Sequence, residues 1–444
     1  MFILTFWDFF VGIIYLAIIF VWGKYIENKR GKQQPLYRWY TRGLMAKCFG
    51  AIALCLIYTL YYEGGDTTNY FEAAKSISNV LGKDMHAFVE MMLGKGKDFY
   101  SVFDSNTGWP PNWRDPLAIF VSRLFVPLCF LGFKTYIGTS LLLAWICYSG
   151  IWRLFLLFNE VFPELEKQFT ISILFIPSVV FWGSGLLKDT VTISAVGWFT
   201  YCFYYFFIKK EDRLKNLVCI VLASYLLGTI KPYILFALIP GSVIWLANEQ
   251  LVNVKSKLLK FLAAPILISL ALGLGFFILT QLGDFLGVYS VNKILYKAVE
   301  SNLDQKSEYY GGNSFDIGEF DATAPSMISK AHLAIAATLF RPTLLDAKNP
   351  VMLLSALENT YIMLLTIFLL IRLQFFGFFR LIGEKPLLLF SVIFSLFFAF
   401  SVGIATSNFG SLVRLKIPCI PFFVSSLFVL KYLYEKKSKK KLGI

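Results

Sequence analysis

Charged side chains are scarce in this chain of 444 residues. Asp, Glu, Lys and Arg make up 16% of it, whereas 57% is hydrophobic and the mean hydropathy is +0.64. Soluble domains carry about 25% charged residues. The deficit excludes an ordinary soluble domain, because so much apolar surface requires a lipid environment. The sequence therefore predicts an all-α integral membrane protein in contact with a lipid bilayer.

Histidine is nearly absent, and cysteine occurs where it suits neither metals nor disulfides. His86 and His332 are the two histidines, which excludes a histidine-rich metal site. The seven cysteines lie in apolar stretches without a CxxC pair, so they indicate small buried hydrophobic side chains. The chain also lacks the P-loop and dinucleotide glycine motifs, the GxSxG elbow and HExxH. We expect no cofactor, and nothing in the sequence supports a divalent metal.

Basic residues exceed acidic ones by 42 to 28, and their positions indicate membrane topology instead of nucleic-acid binding. Cytoplasmic loops of membrane proteins are enriched in Lys and Arg. We therefore predict an inner-membrane (cytoplasmic-membrane) protein with its N-terminus outside, its C-terminus in the cytoplasm and no nucleic-acid partner. The basic loops expected in the cytoplasm are 24–43, 209–215, 249–260, 373–385 and 435–444.

About 20 apolar residues are needed to cross a bilayer, and this criterion predicts eleven spans. The first is expected to be a retained helix and not a signal peptide. Residues 117–133 are also apolar, but counting them would reverse the charge asymmetry of every later loop, so we predict an interfacial or re-entrant helix there. The predicted spans are 2–23, 44–62, 135–157, 169–185, 190–208, 215–230, 233–248, 260–282, 351–372, 386–405 and 416–434.

Residues 1–444 are expected to form a single polytopic membrane domain with two long extracytoplasmic loops. The first loop, 63–134, includes the interfacial helix. The second, 283–350, is polar and long enough to be an ordered lid. Three tight breaks between spans are predicted on the same side, at 183–189, at 231–233 and around 408–410. Such breaks are tolerated where water or protein satisfies the backbone.

Eight charged residues inside or next to the apolar segments fall on this one side of the membrane. Charges at membrane depth are costly unless they line a polar cavity, so they are functional candidates. Together they predict an extracytoplasmic pocket for charged or heavily hydroxylated ligands. They are Asp66, Lys188, Asp189, Lys231, Arg341, Glu358, Arg414 and Lys416.

The segment GGDTTNYF, residues 64–71, follows the second span and contains Asp66 and Tyr70. A carboxylate in a partly dry site can act as a general base toward a hydroxyl. The alternative is that Asp66 caps a helix beginning near Thr67. At the next break, Lys188 is expected to neutralise a phosphate, with Asp189 orienting it or an acceptor. The alternative for this pair is an interfacial ion pair.

Lys231 repeats this pattern, since it precedes a helix-breaking proline and Tyr233. Two lysines at neighbouring breaks favour an anion site. Arg341 precedes Pro342, where its guanidinium can reach phosphate oxygens. Glu358 lies within the ninth predicted span, where it is either functional or hydrogen-bonded to a neighbouring helix.

The segment SNFGSLVRLKIPCIPFF, residues 407–423, contains Asn408 and a basic pair at the start of the last predicted span. Arg414 and Lys416 are two residues apart, so a helix directs them to different faces. We expect them to hold a lipid-linked phosphate, because basic residues outside oppose the usual charge asymmetry.

These features resemble the GT-C superfamily of polytopic glycosyltransferases. An acidic residue in the first outer loop with a tyrosine nearby corresponds to Asp66 and Tyr70. The family's late Arg-Tyr-x-x-Pro-type segment corresponds to 414–418, with Leu415 in place of the tyrosine. Thr67 stands where the family often has a second acid, which puts a metal-dependent variant in doubt. The stretch FWGSGLLKDT is similar to O-antigen and exopolysaccharide polymerases, and the whole chain resembles membrane proteins of Bacteroidetes surface-glycan loci.

The resemblance implies transfer from a polyprenyl-phosphate-linked saccharide to a glycan acceptor in surface polysaccharide biosynthesis. Asp66 would be the catalytic base, supported by Tyr70, Asp189, Tyr233, Glu358 and Asn408. Loop aromatics would stack on sugar rings; these are Trp109, Trp113, Tyr309 and Tyr310. The residues that would bind the donor phosphate are Lys188, Lys231, Arg341, Arg414 and Lys416.

Three alternatives stay open. A repeat-unit polymerase would use the same site. A transporter of lipid-linked saccharides would use the same cationic cavity, although the sequence contains no inverted repeat. A non-catalytic scaffold would tolerate single substitutions in the cavity but lose function when residues 283–350 are trimmed.

Overall fold

The computed structural model describes residues 4–252, 291–306, 313–348 and 350–442. Within these ranges the chain is helical and contains no β-strand; Ser314 and Asn408 form an isolated antiparallel bridge. The helical class expected from composition is therefore confirmed. The predicted span 260–282 and the residues Tyr309 and Tyr310 lie outside the described residues.

Eight described helices are long and apolar enough to cross a membrane, and a ninth span is obtained if a helix pair bent by 70° counts as one. Nine of the eleven predicted spans coincide with these elements, so the chain is a multi-pass membrane protein. The eight helices are Phe6–Gly31, Pro35–Leu60, Tyr136–Val161, Lys188–Lys209, Arg213–Ile230, Pro232–Gln250, Met352–Gln374 and Pro386–Ala405, and the bent pair is Phe409–Leu415 with Ile420–Ser438.

The described residues divide into two compact units. Unit 1 comprises the chain up to Leu156 together with Val179–Trp198, and unit 2 comprises Leu157–Ser178 and the residues from Phe199 onward. That residues 1–444 form a single domain stays a prediction. The first nine α-helices are α1 (Phe6–Gly31), α2 (Tyr40–Leu60), α3 (Asp66–Val80), α4 (Met85–Met92), α5 (Pro116–Leu131), α6 (Tyr136–Val161), α7 (Glu166–Phe169), α8 (Pro177–Trp182) and α9 (Lys188–Phe203).

The remaining helices belong to unit 2. A turn of π-helix, Tyr204–Lys209, extends α9. The long helix α15 is kinked at Gln374, where the backbone has a φ of 56°. The helices are α10 (Arg213–Ile230), α11 (Pro232–Val252), α12 (Val291–Asp304), α13 (Ala324–Ser329), α14 (Ala331–Phe340), α15 (Pro350–Gly383), α16 (Pro386–Ala405), α17 (Phe409–Leu415) and α18 (Ile420–Leu442).

Residues 169–185, predicted as one span, are instead divided into short pieces. Helix α7 continues into a π-helical segment, Thr170–Leu174, and α8 begins at Pro177. Proline has no N–H to donate and disfavours helical backbone in the residue before it, so Pro177 favours the start of a new helix over a continuous one. The next break, at 183–187, ends α8 after a further six residues.

Helix α5 coincides with the apolar segment 117–133 that was expected to be interfacial or re-entrant. At 16 residues it is about 24 Å long, which is shorter than the ~30 Å hydrocarbon core of a bilayer. Its path relative to a membrane stays a prediction.

Part of the expected lid loop 283–350 is a helix with one buried face. Helix α14 has the sequence AHLAIAATLF, and Ala334 and Thr338 are fully buried. A Cβ added at Gly403 of α16 would lie 2.2 Å from the Ala334 carbonyl oxygen, so α14 and α16 pack backbone to backbone. A ten-residue apolar helix is too short to cross a bilayer but long enough to pack against α16, and the role of 283–350 as a lid stays a prediction.

In unit 1, glycines bring α6 and α9 together. A Cβ on Gly197 would lie 2.2 Å from the Gly150 carbonyl oxygen. Only glycine permits this approach, which replaces side-chain packing with contact between backbones. Because α9 begins at Lys188, the packing that fixes this helix also helps to position the residues at the α8–α9 break.

The buried carboxylate of Asp8 caps two helices in unit 1. It accepts hydrogen bonds from the Thr5 backbone N–H at 2.9 Å and the Thr5 hydroxyl at 2.7 Å, which close the first turn of α1. Its other oxygen accepts the Tyr136 N–H at 2.6 Å, at the start of α6. Unsatisfied N–H groups of two helices therefore share one anion.

Candidate functional site

Three polar residues lie close together in unit 1. Tyr70 and Lys188 were predicted from the sequence, whereas Asp115 was not. The Lys188 ammonium lies 5.8 Å from the centre of the Tyr70 ring and 3.9 Å from an oxygen of Asp115. We call Tyr70, Asp115 and Lys188 the Lys188 cluster. The Lys188 side chain is 17% exposed and that of Asp115 is 51% exposed, so the cluster is open on the carboxylate side.

The cluster is assembled from three segments, of which α3 contributes Tyr70. Gly64 and Gly65 adopt φ values of +137° and +134°, a backbone that other residues rarely adopt, and α3 begins at the next residue. Tyr70 is buried and meets Phe125 of α5 edge to face, with ring centres 6.2 Å apart. The glycine turn and this aromatic contact hold the tyrosine ring toward Lys188.

Asp66 is the first residue of α3, one helical turn before Tyr70. The expected helix start near Thr67 is therefore one residue late, and the N-cap position belongs to Gly65. A carboxylate in the first turn is stabilised by the positive end of the helix dipole. Asp66 is partly exposed, and residues four apart lie on one face of a helix, so Asp66 and Tyr70 present the same side.

Asp115, which sequence reasoning missed, caps α5. One of its oxygens accepts the Leu117 N–H at 2.9 Å, and the other faces Lys188. The available signal was an Asp-Pro pair directly before an apolar run, which is a typical helix start. Since a cap orients its side chain, the fold of α5 itself presents a carboxylate to Lys188.

Lys47 is a second residue missed from the sequence. It lies inside α2, is 2% exposed, and its ammonium donates to the carbonyl oxygen of Gly183 in the α8–α9 break. Thr190 donates to the Gly185 carbonyl at 2.6 Å, so backbone groups opened by this break are satisfied by side chains. The signal was a lysine three residues inside a predicted span. Asp189, in the first turn of α9, is fully buried.

A cleft of about 710 Å³ lies next to Asp115 along the chain. Tyr100 and Trp113 provide aromatic walls, with ring centres 5.9 Å apart. Asn112 and Arg114 contribute polar groups and Pro110 completes the described lining. Of the aromatics expected to stack on sugars, Trp113 lines this cleft, and Trp109 is 54% exposed outside the lining.

In unit 2, the Lys416 ammonium is fully enclosed by protein. It donates to the carbonyl oxygens of Thr338 at 3.0 Å and Arg341 at 3.1 Å and to the Asn359 side chain at 2.7 Å. We call these four residues the Lys416 node. Lys416 is 0% exposed, and an ammonium has three donors, all of which are used. In this arrangement Lys416 joins α14, α15 and the α17–α18 break, and a role in phosphate binding stays a prediction.

The side chain of Arg341 is 35% exposed. It forms a bidentate contact with Asp346, at 2.5 and 3.3 Å, and its guanidinium lies 4.9 Å from the centre of the Phe409 ring. Burial alone would raise the pKa of Asp346, but hydrogen bonds from Arg341 and Thr343 lower that pKa below its ordinary value. Arg341 is thus an ordered cation with an exposed portion.

Glu358 is hydrogen-bonded to a neighbouring helix, as the structural alternative proposed. Its carboxylate accepts the Ser178 N–H at 2.8 Å and the Ser178 hydroxyl at 2.6 Å. Ser178 lies in the first turn of α8, so Glu358 satisfies an N–H that the helix itself cannot. In this geometry Glu358 caps a helix, and a supporting role in catalysis stays a prediction.

The remaining predicted residues of unit 2 lie at the expected breaks. Lys231, which is buried, separates α10 from α11, and Tyr233 stacks on Phe398 with ring centres 5.8 Å apart. Asn408 caps α17 by accepting the Ser411 N–H at 3.1 Å. Arg414 is partly exposed in the last turn of α17. Their phosphate-binding or supporting roles stay predictions.

Among the described residues, no group of three or more His, Cys, Asp or Glu side chains is arranged to hold a metal ion. Comparison with protein-family models, with curated proteins and with solved structures finds no match to this chain. Any functional assignment therefore depends on the geometry of the residues themselves.

Proposed function

We propose that this protein is a membrane glycosyltransferase of GT-C type that acts on polyprenyl-phosphate-linked saccharides. Its place would be the outer face of the inner membrane, in surface polysaccharide biosynthesis. The observation that carries the proposal is the Lys188 cluster, in which a partly buried cation at a helix break faces an aromatic ring and lies beside an open cleft.

In the proposed reaction, Asp66 acts as the base and Lys188 is the cation that stabilises the leaving phosphate. The acceptor hydroxyl transfers its proton to the Asp66 carboxylate as its oxygen bonds to the anomeric carbon. The bond between that carbon and the phosphate oxygen breaks, and the phosphate keeps the electron pair. Lys188 stabilises the negative charge that develops on the phosphate. Electrostatic stabilisation of this type is the largest contribution to catalysis in many enzymes. Further cationic contributions from Lys231, Arg341 and Arg414 stay predictions.

The proposal is tested by mass spectrometry of lipid-linked and surface glycans in a host strain deleted for the gene. The strain is complemented with wild type, Asp66→Asn or Lys188→Gln, each checked for abundance in the membrane. Loss of a general base lowers the rate by about 10²–10⁴-fold, so Asp66→Asn should not restore the glycan. Lys188→Arg keeps the charge and should restore part of it.

Lys95→Gln is the matched control for Lys188→Gln, because it makes the same change at a lysine of unit 1 whose side chain is 71% exposed in an ion pair with Glu90. It should restore the glycan fully. A complete repeat unit that accumulates on the lipid carrier, without polymer, would identify the polymerase alternative. An unchanged glycan profile in the deletion strain, or full activity of Asp66→Asn, would contradict the proposal.

A further inference from the structure

The cleft between the 3₁₀ helix Gly96–Val102 and the start of α5 has the walls of a carbohydrate site. Trp113 contacts Tyr100 at 5.9 Å and Phe103 at 5.1 Å between ring centres. Phe103 is buried, whereas Tyr100 is 46% exposed. The Trp113 ring therefore packs on the buried Phe103, and part of the neighbouring Tyr100 ring is exposed. Such an arrangement suits stacking against the apolar face of a sugar ring.

The turn at 104–107, between Tyr100 and the other lining residues, is held by hydrogen bonds. Asp104 accepts the N–H groups of Asn106 and Thr107, each at 2.9 Å, and Lys83 of the loop after α3 donates to Asp104 at 2.8 Å. These contacts hold the pKa of Asp104 well below its ordinary value, chiefly through the hydrogen bond from Lys83. A preformed site binds more tightly, because less loop ordering is required on binding.

The charge of the cleft favours an anionic ligand over a neutral one. Arg114 contributes a guanidinium to the described lining, and none of the described lining residues is a carboxylate. The neighbouring Asp115 carboxylate is directed elsewhere, to the Leu117 N–H and to Lys188. A guanidinium binds carboxylate or phosphate through paired hydrogen bonds, so an anionic substituent is favoured over a neutral one.

A second, smaller cavity of about 70 Å³ adjoins Trp113 on another side. Ile77, Met91 and Ile119 give it apolar walls, and Arg123 contributes a second guanidinium. Trp113 is thus a wall of both cavities, with a cation in the lining of each. The positive charge around this tryptophan agrees with an anionic ligand.

We propose that the cleft lined by Tyr100, Asn112, Trp113 and Arg114 binds an anionic saccharide, with a sugar ring on Trp113 and its carboxylate or phosphate on Arg114. The inference rests on the proposed function and narrows its substrate class to acidic glycans. A cleft of about 710 Å³ is within the ~300–1,000 Å³ that small-ligand sites occupy. Its position next to Asp115 places such a glycan beside the Lys188 cluster.

The test is isothermal titration of the full chain in lipid nanodiscs with three matched probes: methyl glucoside, methyl glucuronide and glucose 6-phosphate. At least one anionic probe should bind about tenfold tighter than methyl glucoside, the preference that one charged hydrogen-bonded contact supplies. The tighter of the two anionic probes identifies carboxylate or phosphate as the recognised group. Inorganic phosphate alone should compete weakly, because it lacks a ring.

Two variants separate the ring contact from the charge contact. Arg114→Gln should remove the preference for anionic probes and leave methyl glucoside binding unchanged. Trp113→Ala should weaken all three probes by about tenfold or more, and Trp113→Phe should recover part of the loss. Trp109→Ala and Lys95→Gln are the controls, since both side chains are exposed outside the described lining, and both should bind like wild type. Thermal melting checks that each variant is folded.

Three outcomes would overturn the inference: no saccharide binding by a folded protein, equal affinity for neutral and anionic probes, or inorganic phosphate competing as well as the sugars. Binding requires no turnover, so these outcomes are independent of the glycan profiles. If binding fails while Asp66→Asn still blocks glycan assembly, the acidic-glycan inference is withdrawn and the glycosyltransferase proposal stands.

Discussion

Replacing Lys416 with methionine separates a structural role from a ligand-binding role. The side chains have similar length, so the change removes the ammonium and leaves most of the apolar stem in place. Three acceptors lose their donor: the carbonyl oxygens of Thr338 and Arg341 and the side-chain oxygen of Asn359. Lys416 itself has no solvent exposure, so water cannot replace the lost donor.

The magnitude follows from two opposing contributions. Hydrogen bonds to a charged group contribute about 1.5–3 kcal/mol each, and a buried acceptor without a donor costs about 1–3 kcal/mol. Against this, the variant no longer has to remove an ammonium from water, a cost of several kcal/mol. We expect a net destabilisation of about 3–5 kcal/mol, because the three buried acceptors left without a donor cost more than the removed desolvation of one ammonium returns. That is a large part of a typical total of about 5–15 kcal/mol.

The assay is equilibrium unfolding of the purified protein in nanodiscs or mixed micelles. Lys437→Met is the matched control, because Lys437 contacts Glu384 at 2.7 Å on the surface and its side chain is 50% exposed. An exposed pair contributes about 0–1 kcal/mol, so this variant should unfold nearly like wild type. Asn359→Leu, alone and with Lys416→Met, measures the coupling, which should be about 0.5–3 kcal/mol.

The reasoning is refuted if Lys416→Met unfolds within about 1 kcal/mol of wild type, the range of an exposed pair. If that stable variant also loses affinity for a phosphate-containing ligand, the result supports the prediction that Lys416 binds a phosphate. A destabilised variant with a coupling to Asn359 supports the structural role.

Three further predictions concern the packing, the loop and the caps of unit 1. Gly197→Ala should destabilise the protein by about 1–3 kcal/mol or more, because its Cβ would lie 2.2 Å from a carbonyl oxygen, whereas Gly31→Ala meets nothing within 4 Å and should be neutral by thermal melting. Asp104→Asn should lower the melting temperature in full above about pH 4, and the effect should fade as the pH falls from there toward the lower pKa of the folded protein. The reason is that the Lys83 contact holds the pKa of Asp104 beneath its unfolded value of about 3.9. Stability from a lowered pKa is present above the unfolded pKa and lost as the pH falls through the folded one. Equal melting curves for the two proteins at pH 7 would contradict this. Asp8→Ala should cost about 0.5–2 kcal/mol per capped helix, with faster hydrogen exchange at Tyr136, and unchanged exchange there would exclude the cap.

The helix breaks were predictable from the sequence because proline and glycine act locally. Pro232 ends one helix and begins another around Lys231, and Gly64 with Gly65 turns the chain before α3. These residues constrain φ or remove an N–H wherever they occur. The same local rule accounts for the error at Pro177, where a break lay inside a run that was counted as one span.

The roles of the buried charges were not predictable in the same way. Lys416 and Arg341 looked alike in sequence, because each is a basic residue shortly before a proline, one at the start of a predicted span and the other at a predicted turn or helix end. One uses all its donors inside the protein, and the other keeps a partly exposed guanidinium on aromatic rings. Hydrogen-bond partners come from helices far apart in the chain, so composition and spacing carry no information about them.

Composition and periodicity by themselves determined that this is a helical, multi-pass membrane protein, because the need to bury apolar surface and satisfy backbone groups depends on local runs of residues. Tertiary structure alone decided that Lys188 meets Tyr70 and Asp115, that Lys416 and Glu358 are held by other helices, and that Trp113 and Arg114 line a cleft. Those outcomes depend on which distant segments supply a partner, and only the packed chain specifies that.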